Sequence, residues 1–144
     1  MDESPGYLLS DTARLMRRVF DERMRALGIT GAQARLLFNL LKHEGEPQAF
    51  YAERLEVEPI TLCRMLDRME EVDMVERRPN PADRRSHLIF LTAKARRNSE
   101  GIRDQANRIV DAMLEGLSGE ERTQLTALLT RIRVQLVEMN SGKD

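Results

Sequence analysis

Ile60, Thr61, Arg64 and Arg68 are side chains whose types and spacing can read a nucleic-acid duplex. A guanidinium can fork onto the O6 and N7 of guanine, and a threonine hydroxyl can donate, accept or touch a thymine methyl. The spacing matters as much as the types. If Pro59–Met69 is helical, Leu62, Met65, Leu66 and Met69 form one apolar stripe. Pro59, Ile60, Thr61, Arg64 and Arg68 then lie away from that stripe or on its rim. A helix inserted N-terminus first into a major groove would present Ile60, Thr61 and Arg64 to base edges and leave Arg68 nearer a phosphate. Taken alone, the same row is equally a solvated helix face.

The residues around this segment narrow the choice. Tyr51, Ala52 and Leu55 share one face of a preceding helix, and Val57 falls in the break between the two, where steeply crossing helices need a buried plug. Ala52 is small where the two must approach. Pro59 suits the first position of the second helix, whose N–H has no intrahelical partner. This is a helix-turn-helix over Gln48–Met69. After it come two strand candidates, Met74–Arg78 and His87–Leu91, joined by a turn-forming loop, Pro79–Ser86, with two prolines and an Arg84–Arg85 pair. A basic hairpin directly behind a recognition helix is a wing. Asp83 and Arg85 stand two apart in it, so Asp83 is expected to pair with Arg85 and aim it at a narrow minor groove, with Arg84 turned to the phosphates.

The flanking elements are expected to be helices. Tyr7–Leu27, starting as early as Ser4-Pro5 and closed by Gly28, carries an apolar stripe too wide for one packing face. Thr30-Gly-Ala-Gln33 is a capping box opening a second helix, apolar on most sides and hence buried. Lys42–Pro47 reads as a loop. Thr92 starts a long helix to about Glu115 or Leu117, and Ser118-Gly-Glu-Glu121 is a capping box opening the last, with Leu125, Leu128, Leu129, Ile132, Leu136 and Met139 at helical spacing. A two-fold homodimer interlocking the first and last two helices is the economical way to cover these stripes; a compact monomeric bundle is the alternative.

The segment from Gln48 through Ala52-Glu53-Arg54-Leu55, Thr61-Leu62, Arg64, Leu66-Asp67-Arg68, Val75-Glu76-Arg77-Arg78, Pro81-Ala82-Asp83-Arg84-Arg85 and Leu91-Thr92 resembles the MarR family, in its SlyA-like branch. The Asp-Arg-Arg wing followed by a Leu-Thr helix start is its most specific part. The resemblance implies a mainly α fold with a small β-wing, about six helices and one β-hairpin. A winged helix-turn-helix lobe would occupy 30–99, and dimerisation helices 1–29 and 100–144. It further implies a homodimeric transcription regulator on a palindromic double-stranded operator, a repressor released by a small aromatic or phenolic/carboxylate ligand. Such a ligand would lodge where the first, second and fifth helices meet, drawing on Met16, Arg17, Phe20, Phe38 and His43; for each of those residues plain core is the stronger reading, with Arg17 snorkelling to solvent. The family usually has Leu where Tyr51 stands, Gly where Glu56 and Asp73 stand, and often Gly at Ala95. These departures touch local geometry and no DNA-facing group.

Composition bounds the rest. The 144 residues, 41% apolar, suit one domain with a core. The net charge of −1 conceals an uneven distribution, since residues 76–103 carry +5. No apolar run spans a membrane, no secretory signal opens the chain, and a single cysteine fits a reducing cytoplasm. No phosphate loop, nucleophile elbow or carboxylate pair is present, and His43 and His87 lack a third metal ligand at a suitable spacing. The expectation is a cofactor-free non-enzyme. Two alternatives stand beside it: a winged-helix protein-interaction module, and a thiol-based redox regulator using Cys63, which otherwise is a small half-buried hydrophobe.

Overall fold

The structure is a computed structural model describing residues 3–142; Met1, Asp2 and residues 143–144, the outer ends of the expected dimerisation segments, lie outside it. Six helices and three strands follow one another: α1 Pro5–Ala26, α2 Gly31–Lys42, β1 Glu46–Pro47, α3 Gln48–Leu55, α4 Pro59–Glu71, β2 Val75–Asn80, β3 Asp83–Leu91, α5 Ala93–Met113 and α6 Gly119–Ser141. The chain forms two compact units, one through Ile109 and one from Val110.

Local sequence explains the helix boundaries. Ser4 caps α1 by accepting from the Tyr7 N–H, with Pro5 behind it. Thr30 and Gln33 form a reciprocal capping box on α2, as Ser118 and Glu121 do on α6. Bonds from Ser118 to its carboxylate hold Glu121 below the ordinary glutamate range. Pro59 occupies the first turn of α4. Two exits are less comfortable. Glu56, closing α3, and Asp73, just beyond α4, take left-handed backbone with φ of 53° and 59°. Glycine adopts that conformation without steric cost.

The first unit has one core: Leu36, Leu37 and Leu40 of α2, Tyr51 and Ala52 of α3, Leu62, Leu66 and Met69 of α4, Val75, Ile89 and Leu91 of the sheet, and Ala95 of α5. Val57 is half-buried against it, as the plug between α3 and α4 requires. Met24 of α1 is fully buried, and Asp21 pairs with Arg35 of α2 at 2.6 Å. Here α1 and α2 approach so closely that a Cβ on Gly31 would lie 2.9 Å from the Asp21 Cα.

The sheet departs from expectation in two ways. Its order is β1-β3-β2, because Glu46 and Pro47, expected in a loop, pair with Ile89 and Leu88. A two-residue strand has too little pattern to be read from sequence; it exists because β3 offers it a free edge. The hairpin is also longer than expected. Both strands run into the supposed loop, leaving Pro81 and Ala82 as the turn, and the register shifts at Pro79/Asn80. There β3 bulges through Arg84–Ser86, since Asn80 faces Asp83 while Pro79 faces His87. Within the second unit, Arg122 ties α6 to the end of α5, donating to the Leu114 carbonyl at 2.9 Å and pairing with Asp111. α5 ends at Met113, slightly before the expected Glu115.

Tyr51, a leucine position in the resemblance, is fully buried, with its hydroxyl donating to the His43 carbonyl and accepting from the Glu46 N–H. Burial pushes its phenol above the ordinary 10.0, and the charges of Glu46 and Glu44 add to that against the pull of the Glu46 amide bond. A raised phenol favours the folded state while protonated, so this contribution is complete below pH 10 and is lost as pH rises through the folded value. Tyr51→Phe should therefore cost roughly 1–3 kcal/mol at pH 7 by stranding two backbone groups. Urea unfolding at pH 7 and above pH 10 checks this, since only the wild type should carry the alkaline loss.

Candidate nucleic-acid interface

α4 turns Leu62, Leu66 and Met69 into the core and leaves Pro59, Ile60, Thr61, Arg64 and Arg68 exposed on its outer side. Ile60, Arg64 and Arg68 are four apart and so form one row along the helix. At the wing, Asp83, Arg84 and Arg85 are all exposed. Among the described residues, Arg64, Arg68, Arg84 and Arg85 enter no ion pair. They are cations without internal partners, as a phosphate- or base-facing group must be.

The wing tip is preformed by side-chain bonds to backbone. Asn80 Oδ1 accepts from the Ala82 N–H at 3.0 Å, and Asp83 Oδ1 accepts from the Arg85 N–H at 2.9 Å. Asp83 therefore holds Arg85 through its main chain and not, as expected, through its guanidinium. A residue two positions on in a bulge places its amide, and not its long side chain, within reach of a short carboxylate.

Arg77 holds α4 in place. Its guanidinium pairs with Asp67 at 2.8 Å and Glu70 at 3.4 Å, and donates to the Cys63 carbonyl at 3.2 Å and to Gln48 Oε1 at 3.3 Å. One side chain of β2 thus engages both α3 and α4. Counted by sequence within the +5 stretch, Arg77 is withdrawn from the outward charge, as are Arg78, paired with Glu76 and stacked 3.8 Å over the Phe90 ring, and Arg96, paired with Glu44. The alternation of a strand carried the signal, because Arg77 shares the face of buried Val75 and meets acids three apart on α4.

The far end of α4 is tied as well. The Thr92 hydroxyl donates to the Asp73 carbonyl at 2.6 Å while accepting the Ala95 N–H at the start of α5, and Lys94 Nζ donates to the Val72 carbonyl at 2.9 Å. The Leu-Thr helix start thus locks two helix ends together. Elsewhere, Glu44 ties the segment before β1 to β3 and α5, taking the Leu91 N–H and Arg96 on its two oxygens.

Among the described recesses, two hold residues considered for a ligand, Phe38 in one and Arg17 in the other. Phe38 lines a recess of about 370 Å³ with Leu41, Lys42, Arg103, Ala106 and Asn107. Arg17 lies in a separate surface groove of α1, Met16 is exposed and Phe20 half-buried. The His43 ring packs edge-on against Phe50 at 5.5 Å. Cys63 is half-buried, with Sγ 4.0 Å from Arg77 Nη2.

Comparison with known proteins bears on this geometry. The family model of the MarR family matches residues 29–87, from the α1–α2 junction into the wing. Among solved structures, wild-type MarR from E. coli in its apo form is 26% identical, with 92% of this chain and 98% of that chain covered at a TM-score of 0.82. A mutant E. coli MarR complexed with operator DNA is 27% identical over 88% of this chain and 91% of that one, at a TM-score of 0.70. The transcriptional repressor CouR, bound to a 23-mer DNA duplex, is 28% identical over 90% and 92%, at a TM-score of 0.72. Among the described residues, six helices, a small antiparallel sheet and a wing behind the fourth helix are shared at near-complete coverage, so the chain has the winged helix-turn-helix fold of these proteins and is similar to the MarR family, whose members are transcription regulators and not enzymes.

Proposed function

We propose that this regulator acts as a repressor, a cytoplasmic homodimer that binds a palindromic double-stranded operator and is released by a small aromatic carboxylate or phenolate. The observation that carries the DNA-binding reading is the exposed row of Ile60, Arg64 and Arg68, with Thr61 beside it, on a helix pinned from behind by Arg77, and the unpaired Arg84 and Arg85 on a preformed wing. Two relatives bind DNA in the complexes described above. In this reading 30–99 is the DNA-binding lobe and 1–29 with 100–144 the dimerisation region. Met16, Arg17, Phe20, Phe38 and His43 remain the proposed ligand residues. The recess at Phe38 supports an anionic aromatic ligand, because Lys42 and Arg103 set two cations beside an apolar floor.

The deciding experiment compares Arg64→Ala with Arg68→Ala across salt concentrations. Arg64→Ala should weaken specific binding by roughly 1–3 kcal/mol and relax preference at one position per half-site. Arg68→Ala should weaken all sequences alike and make the salt slope shallower. Unchanged preference and affinity in Arg64→Ala would refute this docking. A protein-interaction module would instead show no steep salt dependence on DNA.

Asp83→Ala gives a further test, because it removes a negative charge near the phosphates. Charge counting expects tighter binding. Loss of the Asp83–Arg85 amide bond expects weaker binding, by about 1 kcal/mol, and that is the expected result in operator titrations at low and moderate salt. Tighter binding would leave the wing a plain electrostatic contact.

A further inference from the structure

Ile60 stands out on the outer face of α4. It is 61% exposed in the first turn, opposite the buried Leu62 and Met69, and is the apolar member of a row otherwise made by Arg64 and Arg68. Isolated exposed apolar side chains are common on protein surfaces and by themselves need no explanation. This one sits at the leading end of the helix proposed to enter the major groove, where any partner is a base edge or a phosphate. Phosphates and the hydrogen-bonding atoms of the bases would be desolvated by an isoleucine without compensation. The base edges of the major groove carry one apolar group, the C5-methyl of thymine.

We propose that Ile60 is a specificity-determining residue that reads a thymine methyl in each half-site; the proposal rests on the docking of α4 set out above. The spacing places that thymine. Ile60 and Arg64 are four residues apart, about 6 Å along the helix axis. With base pairs about 3.4 Å apart, the thymine lies within about two base pairs of the guanine met by Arg64. Arg64 then supplies hydrogen-bond readout and Ile60 methyl readout of neighbouring pairs, and the β-branched side chain, stiff at χ1, holds its methyl groups in one direction.

The experiment uses the full chain and a duplex selected by it from a random-sequence pool. Each thymine in turn is replaced by deoxyuridine, which removes only the methyl. The wild type should lose about four-fold in affinity at one thymine per half-site, the equivalent of one buried methyl-sized group, within two pairs of the position whose preference Arg64→Ala relaxes. Ile60→Ala should bind the thymine and uracil duplexes equally, and Ile60→Val should keep the sensitivity. Ile60 is exposed, so a circular dichroism melt should show all variants folded. No sensitive position, or one that persists in Ile60→Ala, overturns the methyl reading. If Arg64→Ala still relaxes preference in that case, the docking of α4 survives and only the role of Ile60 falls. If neither substitution changes sequence preference, the docking itself is wrong.

Discussion

Glutamates at Leu128 and Ile132 together should turn the protein into a monomer and remove specific DNA binding, the largest effect expected of any surface substitution here. In the isolated chain α6 buries none of its residues, yet Leu128, Leu129, Ile132, Leu136 and Met139 recur along one side of it. On α1, Leu8, Leu15, Met16 and Val19 are likewise exposed. An exposed apolar stripe of this kind marks an interaction face, and in the proposed homodimer a second copy covers each stripe. Two charges in that stripe would face a desolvated partner, which costs far more than two buried leucine-sized contacts gain. A dimer holds its second lobe near the second half-site at high effective concentration. A monomer forfeits that advantage, about 100-fold or more in affinity. Sedimentation at micromolar concentration, with operator titrations beside it, checks both halves. A wild-type monomer with full operator affinity would sink the homodimer.

Arg77→Met should give the second largest effect, and a different kind of effect. Arg77 is mostly buried, and its loss leaves Gln48 and the Cys63 carbonyl without this partner, while Asp67 and Glu70 are half-exposed and can turn to water. The acids' exposure discounts the ion pairs, so the cost is about 2 kcal/mol. For a chain of this size that is a melting shift of about 6–8 °C. Operator affinity should fall about ten-fold at temperatures where the variant is still folded, because α4 loses the bonds that fix it against α3 and β2. The salt slope should stay that of the wild type, since in this reading Arg77 meets no phosphate. Arg77→Lys should rescue little, because an ammonium cannot satisfy four partners spread around a planar fork. A shallower salt slope in Arg77→Met would make Arg77 a DNA contact after all.

Much of the molecule is determined by short-range sequence. The helix-turn-helix was legible because Leu62, Leu66 and Met69 repeat at helical spacing and Pro59 marks a helix start. The openings of α2 and α6 were legible because a capping box is a four-residue device. The outer face of α4 followed from the same periodicity, since whatever is not on the buried stripe faces outward. What the sequence could not decide depends on partners distant along the chain. Strand β1 exists only because β3 has an edge for two residues some forty positions earlier. Arg77 and Arg84 are the same residue type seven positions apart. One is drawn inward because Asp67, Glu70 and Gln48 converge on it; the other stays at the tip because nothing does. Asp83 reaches an amide instead of a guanidinium because a bulge, set by the register of the whole hairpin, places that amide first. Periodicity and capping are properties of neighbours in sequence, so the chain alone determines them. Which charge is drawn inside and which stays exposed is a property of neighbours in space, and only the tertiary structure decides it.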